Sequence, residues 1–164
     1  MTRASDWQAV ARDAFGARAG DDVVAQPPIE LLAIELDGAS YALPVERVRE
    51  IVRPRCLTPV PRTPDWVLGV VALRGEVVQV VDLRQRLGLA PATVGRASRI
   101  VVVFGEDDGI AGVLVDAVRQ VLRVDASALR PSASADARAV SEICANGDAF
   151  VSVVDLDRVL GDGD

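Results

Sequence analysis

The feature that most constrains this chain is a phrase that occurs twice. Val80-Val81-Asp82-Leu83 returns 73 positions later as Val153-Val154-Asp155-Leu156, and a Leu-Gly pair closes the segment after each copy. Upstream, Val48-Arg49 returns as Val118-Arg119, 70 positions on. A period near 70 is longer than that of stacked-repeat proteins, so it points to two copies of one small unit. Each copy reads as hairpin, short helix, hairpin, short helix. Ile29 to Asp164 supplies the length that two such barrels sharing one core require.

In the first copy, Leu31 to Leu36 is an apolar run that Asp37-Gly38 turns back into Ser40 to Leu43. Val45 to Ile51 carries Val45, Val48 and Ile51 at helical spacing and is expected to be a short helix. A connector with Pro54, Pro59, Pro61 and Pro64 is confined to loop or edge strand, because proline cannot donate to a ladder. Val70 to Leu73 then turns through Arg74-Gly75-Glu76 into Val77 to Val81, with Gly75 expected at positive φ. Asp82 is placed to cap a helix from Leu83 to Leu87.

The second copy repeats the order. Arg99 to Phe104 turns through the acidic Gly105-Glu106-Asp107-Asp108-Gly109 into Ile110 to Val115, and a helix is expected over Asp116 to Leu122. A Ser/Ala/Pro-rich stretch covers 126–139. Ile143 to Ala145 turns at Asn146-Gly147 into Phe150 to Val154, and Asp155 caps a last helix reaching Leu160. Residues 1–28 stand apart from this pattern. Trp7, Val10, Ala11, Ala14 and Phe15 fall on one face of an expected N-terminal helix, and a linker runs to Pro27-Pro28.

Composition removes most catalytic mechanisms. All 18 basic residues are arginine, with no lysine and no histidine. Serine and cysteine nucleophiles lack a histidine base, and the phosphate loop and Schiff-base chemistries lack their lysine. Cys56 and Cys144 form no close pair, so neither a redox motif nor a zinc site is expected, and both thiols are expected to be free. Glu106-Asp107-Asp108 lacks the lysine and the further chain that a phosphorylation receiver needs, and reads as an acidic hairpin turn. Asp155-Leu156-Asp157 fails the calcium-loop pattern. No catalytic residue, metal ligand or cofactor is expected. A carboxylate-dependent hydrolase is the remaining enzymatic alternative.

The net charge of −6 argues against nucleic acid as a partner. It is distributed as −4 over 1–44, +5 over 45–100 and −7 over 101–164. A basic middle can pair with its acidic flanks inside the fold, or offer a positive face to an acidic protein. No uninterrupted apolar run reaches the ~18 residues of a membrane span, and Asp6, Arg12 and Asp13 break any signal peptide. A soluble, cytoplasmic protein is expected.

The stretch Gly69-Val70-Val71-Ala72-Leu73-Arg74-Gly75-Glu76-Val77-Val78-Gln79-Val80-Val81-Asp82-Leu83-Arg84-Gln85-Arg86-Leu87-Gly88-Leu89 resembles the signature segment of CheW-type chemotaxis coupling proteins. The similarity extends from Ile29 to Leu160. It includes Tyr41, Val48 to Ile51 with Glu50, the Thr58-Pro59-Val60-Pro61 connector, and Gly112-Val113-Leu114-Val115-Asp116. Ala72 stands where that family commonly has asparagine, and Gln79 where it commonly has proline.

This resemblance implies a mainly β fold with short helices, made of two SH3-like five-stranded β-barrel subdomains sharing a core, plus the N-terminal helical extension. It implies a non-enzymatic adaptor joining the cytoplasmic tip of a chemoreceptor to the regulatory domain of a CheA-type histidine kinase, recruited to receptor arrays at the inner membrane face. A module of a parallel chemosensory pathway is the alternative within the family. Carried over by position, the receptor-binding residues are Val48, Glu50, Ile51 and Arg74. The kinase-binding residues are Leu57, Thr58 and Val60.

Overall fold

A computed structural model of the chain describes residues 27–132 and 139–161. The helix expected over the first 26 residues lies outside them. Eleven strands are present in order: β1 (Ile29–Leu36), β2 (Ala39–Pro44), β3 (Val48–Val52), β4 (Val67–Leu73), β5 (Glu76–Asp82), β6 (Arg99–Phe104), β7 (Ile110–Val115), β8 (Ala117–Val124), β9 (Leu129–Pro131), β10 (Val140–Asn146) and β11 (Ala149–Val154). Two helices, α1 (Leu83–Arg86) and α2 (Leu156–Leu160), follow β5 and β11.

The expected hairpins and caps are where local chemistry puts them. Asp37 and Gly38 both take positive φ, 52° and 77°, as do Arg74 and Gly75 at 50° and 81°. These are the two-residue turns whose twist suits a tight antiparallel hairpin. The Asp82 carboxylate accepts the Arg84 backbone N–H at 3.1 Å, and Asp155 accepts those of Asp157 and Arg158. The turn expected at Asn146-Gly147 sits one residue later. Asn146 pairs with Ala149, leaving Gly147-Asp148 as the loop.

Two expected helices are strands. Only Val45–Arg47 makes a single 3₁₀ turn, after which Val48–Val52 runs extended as β3. Ala117–Val124 is β8 throughout. The β-branched valines in both segments suit a pleated surface, and each finds a pairing partner far along the chain. β3 pairs with β6, and β8 pairs with β1.

Those pairings show that the two copies exchange strands. One sheet has the order β8-β1-β2-β11-β10-β9, and the other β3-β6-β7-β5-β4. Each therefore combines the opening hairpin of one copy with the later strands of the other. Each sheet has two seams between the copies, equivalent in the two sheets: an antiparallel one, β8 beside β1 and β3 beside β6, and a parallel one, β11 beside β2 and β5 beside β7.

Burial follows the same scheme. Along β6, Ile100 and Val102 enter a local core with Val71, Leu73, Val78, Val80 and Leu114. Val101 and Val103 point the other way, into a core shared with Leu32, Ile34, Leu36, Leu43, Leu156 and Val159. Leu31, Ala42, Val151 and Val153 fill the local core of the other sheet. Strand alternation thus assigns neighbouring residues to different cores. The result is two SH3-like subdomains joined by a third, common core.

Candidate protein-binding face

The expected receptor-binding residues come together on the β3-β6-β7-β5-β4 sheet. β3 and β4 stand at opposite ends of its strand order, yet the guanidinium of Arg74, in the β4–β5 turn, lies 3.3 Å from the Glu50 carboxylate on β3. One residue away, Arg49 donates to Glu76 at 2.6 Å. Two ion pairs of opposite polarity therefore stitch the hairpin tip to β3 and mark where the sheet curls round on itself. In a regular strand Arg49 and Glu50 would point to opposite faces. A register shift against β6 between Val48 and Glu50 lets both reach the same tip.

Within this cluster the residues differ in exposure. Ile51 is 41% exposed, an uncommon position for an isoleucine, while Val48 is half-buried against the shared core. Arg74 is open to solvent and Glu50 is largely covered. Ala72 and Gln79 lie exposed on the hairpin, where Val77 is 71% exposed. The departures at 72 and 79 thus alter surface and leave the core intact. The Arg49–Glu76 pair was not legible in the sequence, because it depends on closure of the barrel.

The expected kinase-binding residues lie along β4. Thr58 and Val70 exchange two backbone hydrogen bonds, each 2.9 Å, so the proline connector backs onto β4 as a short extra strand. Leu57 packs on the local core, while Thr58 and Val60 are exposed. The approach is close: a Cβ at Gly69, whose φ is +141°, would lie 2.5 Å from the Thr58 carbonyl oxygen. Only glycine fits there. The connector thus joins the edge of the same sheet at Thr58, beside β4.

Asp82 serves structure. Buried Asp82 accepts from the Arg84 N–H, from Gln85 Nε2 at 3.0 Å and from the Ala92 N–H at 2.9 Å. Arg86 stacks 4.1 Å over Trp66 and donates to the carbonyls of Arg158, Val159 and Gly161 at the end of α2. Both cysteines are free; Cys56 is exposed, and burial pushes the Cys144 thiol up, away from reactivity. Among the described residues no cluster of carboxylates and cysteines could hold a metal ion, and no helix is long and apolar enough to cross a membrane.

Comparison with known proteins agrees with this geometry. The family model described as the CheW-like domain matches residues 30–164. The chain is 33% identical over 103 residues to the chemotaxis protein CheW of Helicobacter pylori, covering 63% of this chain and 62% of that one. It thus spans a little under two thirds of that relative's length. Protein FrzA of Myxococcus xanthus is 37% identical over 117 residues, covering 70% of this chain and 72% of its own. The crystal structure of the scaffolding protein TtCheW from Thermoanaerobacter tengcongensis superposes with a TM-score of 0.78 at 28% identity, over 84% of this chain and 96% of that one.

Proposed function

The chain belongs to the CheW-like domain family, and from that membership we propose that it is a non-enzymatic scaffold of a chemotaxis or chemosensory array. It couples the cytoplasmic tip of a chemoreceptor to the regulatory domain of a CheA-type histidine kinase. In this reading it works in the cytoplasm, is held at receptor arrays on the inner membrane face, and uses no cofactor. The observation that carries the reading is the Arg74–Glu50 pair, which sets the hairpin tip against β3, the strand that also carries the exposed Ile51. An open guanidinium held on a largely covered carboxylate, with an exposed isoleucine on the same strand, is suited to a helical partner that offers both apolar and charged side chains. Val48 anchors β3 to the shared core. Leu57, Thr58 and Val60 form a second surface on the same sheet, offered to the kinase domain. Two modest interfaces held by one rigid body gain strength from simultaneous engagement in an array.

Binding measurements with variants test this. Arg74→Asn keeps a residue that tolerates positive φ in the turn but removes the partner of Glu50. It should weaken binding to a receptor-tip fragment by about tenfold, ~1.4 kcal/mol, without lowering the melting temperature. Val60→Asp should weaken binding to the kinase regulatory domain and leave receptor binding unchanged. Wild-type affinity for both partners in both variants would overturn the assignment of these surfaces.

A further inference from the structure

A second feature of the surface, at the end of β3, does not rest on that reading. Arg53 and Pro54, just after β3, face Val94, Gly95 and Arg96 of the loop that enters β6, and Arg99 at the start of β6, across an open surface hollow of about 640 Å³. That is the size of a small-ligand site. Its three arginines have no acidic neighbour in the lining. The sequence accounts for this: no aspartate or glutamate occurs between 51 and 64, or between 83 and 105.

Most arginines elsewhere are paired, although Arg55, Arg62, Arg86 and Arg130 form no ion pair among the described residues, Arg86 lying over Trp66. Arg47, Arg49, Arg74, Arg84, Arg119, Arg123 and Arg158 all pair with carboxylates. Among the described residues, Arg53, Arg96 and Arg99 form no ion pair. The loop that presents them is pinned. Ser98, 4% exposed, accepts the Gly95 N–H through its hydroxyl at 2.8 Å, and its own N–H donates to the Gly95 carbonyl. Arg99 uses one nitrogen, Nη1, to donate to the carbonyls of Arg96 and Ser98 at 3.0 and 2.7 Å. Its remaining N–H groups stay available. Three like charges held around one concavity repel each other until an anion enters.

We propose that this cavity is a binding site for a small phosphorylated anion bearing adjacent phosphoryl groups. Guanidinium forks arriving from two loops suit the several oxygens of a diphosphate, and arginine binds phosphate in a bidentate manner. Pro54 and Val94 add an apolar wall against which a nucleoside base can rest. The source is either inorganic pyrophosphate or a nucleoside polyphosphate, which share the same recognised group.

Isothermal titration of the full chain at fixed ionic strength distinguishes these, with pyrophosphate, ATP and citrate as probes. Saturable binding of pyrophosphate is expected, weakened at least about tenfold in Arg53→Gln/Arg96→Gln and unchanged in Arg130→Gln. Tighter binding of ATP than of pyrophosphate would assign the apolar wall to the base; equal binding would assign the site to the phosphates alone. Absence of saturable binding, citrate binding as tightly as pyrophosphate, or a double variant with unaltered affinity would each overturn the proposal. Both substituted side chains are exposed, and a thermal melt of each variant establishes that the fold is retained.

Discussion

Arg84 and Asp116 clasp the crossing between the two copies of the repeat. Arg84 Nε donates to both Asp116 carboxylate oxygens, at 2.9 and 3.0 Å, and one of those oxygens also accepts the Asp37 N–H at 2.8 Å. Both side chains are only 18% exposed. Arg47 meets Asp157 at the corresponding crossing, 2.8 Å apart, with the charges reversed. Arg84 and Asp157 occupy the same second position of α1 and α2.

The first prediction follows from that clasp. Burial raises the pKa of Asp116, but the hydrogen bond from Arg84, the Asp37 N–H and the arginine's charge outweigh it and hold the carboxyl below its ordinary range. A carboxylate depressed on folding stabilises the protein above the unfolded pKa of roughly 3.9, and that contribution is lost as pH falls through the lower folded value. Asp116→Asn should cost about 1–2 kcal/mol at neutral pH, between exposed and fully buried pairs. Urea denaturation across pH 3 to 7 should show the difference from wild type narrowing on the acid side. A constant difference would assign the cost to packing.

The second concerns Gly75. Its φ of +81° is unfavourable for side chains, although a Cβ there would meet nothing within 4 Å. The penalty is therefore one of backbone alone. Gly75→Ala should cost about 1 kcal/mol and Gly75→Val more, whereas Gly75→Asn should cost least. Equal melting temperatures for the valine and asparagine variants would contradict the turn geometry.

Gly69 differs, because its obstacle is another stretch of backbone. Gly69→Ala should push the connector off β4 and destabilise by more than about 2 kcal/mol. Hydrogen exchange at the Thr58 and Val70 amides should accelerate selectively. Protection at wild-type levels would show that the strand-like contact survives.

The fourth prediction tests the exchange of strands. Residues 27–97 and 98–164, produced separately, should each lack cooperative unfolding, since either sheet needs strands from both. Mixed in equal amounts, the halves should recover one cooperative transition. A cooperative melt from either half alone would show that a copy can form its own barrel.

Much of this was legible because it is local. Asp37-Gly38, Arg74-Gly75 and the caps Asp82 and Asp155 act over two or three residues, and each lies where its chemistry suggests. Val45 to Ile51 and Asp116 to Leu122 misled because valines spaced three apart fit a helix as readily as an irregular strand. What decides them is pairing with β6 and with β1, which lies some 50 to 90 residues away. For the same reason the repeat announced two units but not that they trade hairpins. Of the candidate site, Arg74 and Glu50 could be named from position, whereas Arg49–Glu76 could not. The arginine cavity did leave a local trace, two acid-free stretches, whose meeting only the fold reveals.

The exchange also separates a surface from its foundation. β3, which carries Val48, Glu50 and Ile51, rests on β6, and β6 in turn lies against β7. The residues of β3 are encoded in one half of the chain and the strand that hydrogen-bonds to them in the other. Gly112 on β7 shows how narrow the tolerance is: a Cβ there would lie 2.7 Å from a methyl group of Ile100. Buried substitutions in the second half of the chain can therefore act on β3 without altering its own residues. A volume change at Ile100 or Val102, both buried, is transmitted to β3 through this pairing.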